Sequence, residues 1–153
     1  MEEPKIKQKR FEVVQENPDV RIKVFGASPK EIFSNSLLAM AHVQKPSVLE
    51  PSTVGKILGT IRLRNTSETI LVESMDYETL LIDFLEQALE LSDEKGAVFS
   101  EIKFKELSEQ KLFGKLYGVK ANLDKDIKSV VFDEMYLKNL EDGNWEALLV
   151  FEV

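Results

Sequence analysis

The sequence predicts an α+β fold, in which a mainly antiparallel β-sheet packs against two α-helices. Two segments repeat apolar residues at helical spacing, whereas most of the remaining chain alternates apolar and polar residues as strands do. Helices and strands follow no regular βαβ alternation, which disfavours a parallel sheet. Because the 153 residues contain no linker-like tract, we predict a loosely ordered arm over residues 1–10 and a single domain over 11–153.

The first strand-like segment follows a polar turn. Apolar and charged residues alternate over residues 20–24, which is the pattern of a half-buried strand. The preceding residues 16–19 read Glu-Asn-Pro-Asp, a composition typical of a turn between two strands.

A capped helix is predicted to begin after Ser28 and to end before Pro46. Ser28 can accept hydrogen bonds from free amide groups, Pro29 suits the first helical turn, and Glu31 completes a capping box. One apolar stripe follows at helical spacing: Ile32, Phe33, Leu37, Met40 and Ala41.

A second helix is predicted over residues 76–91. Acidic residues point away from an apolar stripe, so one face of this helix should be buried. The stripe consists of Leu80, Leu81, Phe84, Leu85, Ala88 and Leu89.

Strand-like alternation covers four internal segments and the last residues: 61–64, 98–105, 111–120, 127–140 and 145–153. The alternation over 111–120 and 127–140 is imperfect, which suggests bulges. Residues 148–151 of the last segment are apolar on both faces, as expected of an interior strand. Asp142-Gly143 indicates a turn just before that strand.

The composition narrows the classes of function. With 20 Lys and Arg against 27 Asp and Glu, the formal net charge is −7, so no strong direct nucleic-acid binding is expected. A local basic patch stays open: Lys56, Arg62 and Arg64 form either a basic stripe or a solvated strand face. The absence of cysteine and the single histidine, His42, exclude disulfides, thiolate nucleophiles and two-His zinc sites.

The sequence also predicts a location. It has no apolar run of the roughly 18–20 residues that would cross a bilayer. Its first residues are too polar for a secretory signal. We therefore expect a cytoplasmic protein with no membrane partner.

Carboxylates are the main chemical groups that remain, and they favour a hard cation such as calcium or magnesium over zinc. Three acidic places are candidates: the turn at 16–19, the pair Asp133-Glu134, and Glu152 next to Val153. Each has an ordinary alternative, namely a turn, a solvated strand end or a charge that closes a strand, and the residues alone leave both interpretations open. A glycine-rich phosphate loop is absent from the sequence, which disfavours a conventional enzyme.

Five segments carry a resemblance to a known family. Residues 18–26 read PDVRIKVFG, 80–85 read LLIDFL, 98–100 read VFS, 128–132 read KSVVF, and 145–153 close the sequence with an acidic and an apolar residue. In this order they resemble the archease family, whose motifs are an H-T-A-D-V opening, an L-L-x-D-W-L helix, a V-F-S strand, a K-A-V-T-Y-H segment and a similar closing strand. The resemblance spans most of the chain.

The polar positions of those motifs are partly replaced. Where the family has the His and Thr of its opening motif, this sequence has Glu16 and Asn17, and Asp133 takes the place of the later His. Three further departures are Val119 for Glu, Val131 for Thr and Phe132 for Tyr. The chain therefore resembles a divergent member of the family.

The resemblance implies an accessory protein that promotes guanylylation and turnover of the 3′-phosphate RNA-splicing ligase that acts on tRNA. It also implies a divalent-cation site, with calcium as the expected ion, built from Asp19, Glu152 and the terminal carboxylate of Val153. Glu16 and Asp133 are additional acids expected in this pocket.

Three functional hypotheses follow. The first is a non-enzymatic ligase activator, with Lys128 as a residue that contacts the partner. The second is an archease-fold protein-binding module that has lost ligase activation, as the replaced motif positions suggest. The third, a metal-dependent hydrolase, rests only on clustered carboxylates. The oligomeric state stays open, a homo-oligomer included.

Overall fold

A computed structural model describes residues 9–45 and 64–153. Its elements in chain order are β1 Phe11–Gln15, β2 Val20–Gly26, α1 Pro29–Gln44, β3 Thr66–Glu73, α2 Tyr77–Lys95, β4 Ala97–Leu107, β5 Lys111–Lys120, β6 Ser129–Val130, a 3₁₀ turn Phe132–Glu134, β7 Tyr136–Asn139 and β8 Trp145–Glu152. The predicted α+β class, with two α-helices and antiparallel strand pairs, is confirmed over these residues.

The strands form two sheets where the sequence had suggested one. Sheet A has the order β1-β2-β8-β6, and β7 also pairs with β8. Sheet B has the order β3-β5-β4. Every strand pair is antiparallel. The last strand, β8, lies between β2 on one side and β6 and β7 on the other, so its predicted interior position is confirmed.

The start of α1 follows the predicted capping pattern. Ser28 Oγ accepts a hydrogen bond of 3.3 Å from the backbone N–H of Glu31. The Glu31 carboxylate reaches back and accepts one of 3.2 Å from the N–H of Ala27. These two bonds satisfy backbone donors that a helix start leaves free.

The second helix is longer than predicted. Asp76 caps its start, since the Asp76 carboxylate accepts a hydrogen bond of 2.8 Å from the Thr79 N–H. The helix continues past the predicted end at residue 91 to Lys95 and stops at Gly96, which has φ of 59°. The added residues are mostly polar, so the apolar stripe did not reveal them. Gly96 supplies the left-handed conformation that ends the helix.

The predicted strand at 111–120 is β5, but the bulges lie in its partner. The register between β4 and β5 shifts between Phe99 and Glu101 and again between Phe104 and Glu106. The prediction of one strand over 127–140 is wrong: this stretch is divided into β6, the 3₁₀ turn and β7.

Several other predictions can be placed on the fold. The turn at Asp142-Gly143 is confirmed, and Gly143 has φ of 88°. Strand β3 was not predicted. Arg64 lies just before it, whereas Lys56 and residues 61–63 are outside the described residues.

The predicted loose arm over residues 1–10 and the domain over 11–153 stay predictions, because residues 1–8 lie outside the described part of the chain. Of the predicted arm, Arg10 bonds to sheet A: its carbonyl oxygen accepts a hydrogen bond of 3.0 Å from the N–H of Phe25 in β2.

The core lies between the helices and the two sheets. Phe33 of α1 and Phe84 of α2 are fully buried, with ring centroids 5.7 Å apart. Each sheet also buries a phenylalanine in this core: Phe99 of β4 in sheet B and Phe151 of β8 in sheet A. Over residues 9–45 and 64–153, neither helix combines the length and apolar character that a membrane span requires.

Candidate functional site at one end of sheet A

The register between β2 and β8 places Asp19 and Glu152 at the same end of sheet A. The ladder between the two strands ends with the pair Val20 and Phe151. Asp19 directly precedes Val20, and Glu152 directly follows Phe151 as the last residue of β8. Two residues that are far apart in the sequence thus lie at one end of the same pair of strands.

Glu152 is also fixed from its other side by β6. The backbone N–H of Lys128 donates to the main-chain oxygen of Glu152 at 2.7 Å. The Ser129 hydroxyl donates to Oε2 of Glu152 at 3.2 Å. The Glu152 side chain is exposed, so its carboxylate is held at the surface. Lys128, the predicted partner contact, lies beside it with an exposed side chain.

Asp19 is held by the turn that precedes β2. Its carbonyl oxygen accepts a hydrogen bond of 3.3 Å from the side-chain amide of Gln15, across the turn. The Asp19 side chain is half-buried. The predicted turn at 16–19 is confirmed, because β1 ends at Gln15 and β2 begins at Val20.

Glu16 lies in a separate pocket. This pocket has a volume of about 250 Å³ and lies against the C-terminal half of α1. Its lining includes His42, whose ring centroid is 5.4 Å from that of Phe11. Val20, the first residue of β2, also lines the pocket, whereas Asp19 and Glu152 are not among its lining residues.

Asp133 lies in the 3₁₀ turn that follows β6, and its side chain is exposed. The backbone N–H of Val131 donates to the Val150 carbonyl at 2.9 Å and ties the turn to β8. The neighbouring Glu134 pairs with Arg21 of β2 at 2.5 Å. Asp133 thus lies on a turn that is anchored at both ends of its short span.

Two features of this region had no signal in the sequence. One is the ion pair of Arg21 and Glu134, which are 113 positions apart. The other is Phe132, whose side chain is 62% exposed although the surrounding sequence reads as a buried strand. Both depend on the 3₁₀ turn, which strand-like alternation did not reveal.

The acids near this end of the sheet do not form a complete metal cage. Over the described part of the chain, no three Asp, Glu or His side chains converge as ligands. The carboxylates of Asp19 and Glu152 are oxygen donors of the kind that calcium prefers, but calcium takes six to eight of them. The third predicted ligand residue, Val153, follows β8 directly and is half-buried. The donor type therefore suits calcium, and the remaining donors would have to be water or groups of a partner.

Comparison with known proteins identifies the family. The family model for the archease protein family matches residues 11–153. The chain belongs to the archease family. The archease of Pyrococcus furiosus is 31% identical over 156 residues, with 95% of this chain and 99% of the relative covered. The archease of Pyrococcus abyssi is 30% identical over 153 residues, with the same coverage.

Solved structures agree with the archease fold. The solution structure of protein 1598 from Methanobacterium thermoautotrophicum superimposes with a TM-score of 0.68 at 24% identity, covering 95% of this chain and all of that one. The crystal structure of an archease, described as a possible chaperone, from Thermotoga maritima gives 0.61 at 11% identity, covering 99% and 100%. At such identities these likenesses show the fold alone.

Three of the five motif segments lie on neighbouring strands of sheet A. Residues 18–26 include β2, and 145–153 include β8, its antiparallel neighbour. Residues 128–132 contain β6, which pairs with β8 from the other side. The other two segments, 80–85 and 98–100, lie in α2 and β4.

Proposed function

We propose that this archease-family protein is a cytoplasmic accessory factor that promotes guanylylation and turnover of a 3′-phosphate RNA-splicing ligase. In this proposal it is not an enzyme by itself but acts through contact with the ligase. The observation that supports the proposal is the position of Asp19 and Glu152 next to the terminal pair Val20 and Phe151 of the β2–β8 ladder, in a chain of this family.

The proposed site would hold a divalent cation, most simply calcium, between two proteins. Asp19 and Glu152 would supply part of an oxygen shell, with Val153 as the third predicted ligand residue, and a hard cation needs several further oxygens. Phosphate oxygens of a ligase-bound nucleotide are donors of the same chemical kind. A cation shared in this way would offset phosphate charge during transfer of the guanylyl group.

The surface around the acids supplies contacts for a protein partner. The exposed ring of Phe132 is an apolar anchor, and aromatic anchors of this kind dominate the affinity of many interfaces. The exposed Lys128, whose backbone N–H bonds the main-chain oxygen of Glu152, offers a cation for a partner carboxylate. Ser129 also ties Glu152 to β6, and Phe132 lies in the 3₁₀ turn that follows β6.

A second candidate function is a protein-binding module of the archease fold without ligase activation. It is favoured by one specific observation: the large apolar residue Phe132 is 62% exposed in the 3₁₀ turn that follows β6. The exposed Phe132 would then act in binding, and the carboxylates would only close the end of the sheet.

The test is guanylylation of the ligase from the same organism, followed with labelled GTP, with and without this protein. Wild-type protein should accelerate guanylylation, and Asp19→Ala should not. Glu94→Ala is the matched control, because Glu94 is an exposed acid on α2 and belongs to no strand of sheet A.

The outcomes separate the two functions. Acceleration by wild type and by Glu94→Ala, but not by Asp19→Ala, supports the accessory role. If folded wild-type protein leaves an active ligase unaffected yet still binds it, the activator hypothesis is wrong and the binding module takes its place. Equal acceleration by all three proteins would remove Asp19 from the mechanism.

A further inference from the structure

The outward face of sheet B concentrates positive charge on an acidic protein. On β5, residues 112, 114 and 116 are buried, while the residues that alternate with them point outward. We call the outward set the basic face of sheet B, with five cations and two rings: Arg64, Lys103, Lys105, Lys111, Lys115, Phe113 and Tyr117. The whole chain carries a net charge of −7, so this face is a local exception.

Three cations surround one aromatic ring on this face. The distances to the ring centroid of Tyr117 are 4.8 Å from the Arg64 guanidinium carbon, 5.5 Å from Lys103 Nζ and 5.8 Å from Lys115 Nζ. A fourth cation, Lys105, lies 5.7 Å from the ring of Phe113. The rings are four residues apart on β5, about 13 Å along the strand.

The strand register opposes like charges. Lys103 of β4 lies directly opposite Lys115 of β5. Like charges in direct opposition destabilise a strand pair. An anion that binds between the two ammonium groups would remove this repulsion, so the register itself favours an anionic ligand.

The acids on the same face do not neutralise these lysines. Glu101 forms a bidentate contact with Arg64, and Glu106 lies 3.4 Å from Lys111. The third acid, Glu73, is in register with Lys111. Within residues 9–45 and 64–153, the three remaining lysines form no ion pair: Lys103, Lys105 and Lys115.

We propose that the basic face of sheet B binds single-stranded RNA. Its three unpaired lysines would contact phosphates, and the rings of Phe113 and Tyr117 would stack with bases. An open sheet face with aromatic rings suits splayed single strands better than a duplex, whose bases are already stacked. The choice of RNA over DNA rests on the proposed function, and the exposed hydroxyls of Ser67 and Thr69 on β3 can bond ribose 2′-hydroxyls.

RNA is favoured over an acidic protein surface by the pairing of rings with cations. The Asp and Glu side chains of an acidic protein would pair with the lysines but cannot stack on the rings, whereas a nucleic acid uses the charges and the ring faces together. The surface is separate from the end of sheet A, so an RNA strand and a protein partner could occupy the molecule at the same time.

The test measures fluorescence anisotropy of a fluorescein-labelled 12-nucleotide oligouridine against the full chain at low salt. Three phosphate contacts predict a slope of about −2 for log K against log salt concentration. The double variant K103E/K115E should bind at least about tenfold more weakly, because it places carboxylates where phosphates would lie.

A matched double variant controls for net charge. K23E/K138E changes the total charge by the same amount, but both lysines belong to sheet A. Lys138 also lies over an aromatic ring, with its Nζ 4.3 Å from the centroid of Tyr136. Binding by this control should stay within about twofold of wild type, since sheet A lies outside the basic face.

Variants at Tyr117 separate stacking from charge. Tyr117→Ala should weaken RNA binding by about fivefold or more, since stacking contributes about 1–3 kcal/mol per base. Tyr117→Phe should bind as wild type does. Far-UV circular dichroism of each variant checks that the sheet is intact.

Four outcomes would overturn the proposal: no RNA binding at low salt, equal losses in the two double variants, equal binding of duplex RNA, or equally effective competition by polyglutamate. Effective competition by polyglutamate would identify an acidic protein surface as the partner. A matched oligodeoxythymidine should bind more weakly than the oligouridine, and equal binding would overturn the choice of RNA over DNA. RNA binding is measured without the ligase, so a failure to bind RNA does not decide the guanylylation assay. A failure to accelerate guanylylation likewise does not decide whether the basic face of sheet B binds RNA.

Discussion

The side-chain amide of Gln44 donates a hydrogen bond of 3.0 Å to the hydroxyl of Ser92, inside the core between α1 and α2. Ser92 in turn donates to the carbonyl oxygen of Ala97 at the start of β4. The main-chain oxygen of Gln44 accepts hydrogen bonds from the N–H groups of Asp124 at 2.8 Å and Lys125 at 3.2 Å. One buried position thus connects both helices, sheet B and the segment that leads to β6.

Ser92→Ala should lower the free energy of unfolding by about 1–3 kcal/mol, because it leaves the buried amide of Gln44 and the carbonyl of Ala97 without their shared partner. Urea denaturation measures the change. Ser67→Ala is the control, since Ser67 is exposed on β3 and its loss should change stability by less than about 0.5 kcal/mol. If the two variants lower the free energy of unfolding equally, the hydrogen bonds of Ser92 contribute little to stability.

Asp76→Ala should cost about 1 kcal/mol at neutral pH through loss of the α2 cap. The hydrogen bond from the Thr79 N–H lowers the pKa of Asp76 below its usual 3.8. A lowered carboxyl pKa stabilises the fold above the unfolded value and loses this effect as pH falls through the folded value. The difference between wild type and variant should therefore shrink below about pH 4, as denaturation at pH 7 and pH 3 would measure. If wild type and Asp76→Ala differ in free energy of unfolding by the same amount at both pH values, the ionised carboxylate of Asp76 does not stabilise the helix start.

Tyr136 should contribute a stability that disappears at high pH. Burial and the hydrogen bond of 2.7 Å to the Glu146 carboxylate raise the pKa of Tyr136 to about 12. A raised pKa stabilises the fold below the unfolded value near 10 and loses this effect as pH rises through 12. Tyr136→Phe should be less stable than wild type by about 1 kcal/mol at pH 7, with a smaller gap above pH 10. Urea denaturation of both proteins between pH 7 and pH 11 measures this difference in the free energy of unfolding. A difference that grows above pH 10 would contradict the prediction.

Gly118→Ala should destabilise the protein by about 2 kcal/mol or more. A Cβ atom at Gly118 would lie 2.0 Å from the carbonyl oxygen of Val98 and 2.8 Å from Cα of Phe99, both backbone atoms of β4. Gly96→Ala is the comparison, since its Cβ would meet nothing within 4 Å and only the positive φ costs energy, about 1 kcal/mol. Thermal and urea denaturation measure the loss of stability in each variant. If Gly118→Ala loses less stability than Gly96→Ala, the predicted clash with β4 is wrong.

Calcium should stabilise the wild-type protein through the site at Asp19 and Glu152. A calcium concentration of ten times Kd raises the free energy of unfolding by about 1.4 kcal/mol. Asp19→Ala and Glu152→Ala should fold normally without calcium and lose this increase, because neither side chain belongs to the core. Glu94→Ala should keep it. A calcium effect that persists in both site variants would place the ion elsewhere.

Local patterns predicted the elements whose signals are contained in a few neighbouring residues. Ser28 and Glu31 fixed the start of α1, and the apolar stripe of α2 fixed its buried face. The alternation over 20–24 and the turn at Asp142-Gly143 were also sufficient. The 3₁₀ turn around Asp133 was missed, because a short helical turn between two brief strands leaves no periodic signal.

The sequence by itself determined the α+β class, the N-terminal cap of α1, the order of the archease motifs and the acidic character of the candidate site. The tertiary structure decided that the strands form two sheets, that Asp19 and Glu152 lie at the same end of sheet A, and that Glu16 lines a pocket whose lining includes neither of them. It also produced the basic face of sheet B by alignment of β4 with β5. The physical reason is that strand partners and register depend on packing and hydrogen-bond ladders between distant segments, whereas caps and periodicity depend only on neighbours along the chain.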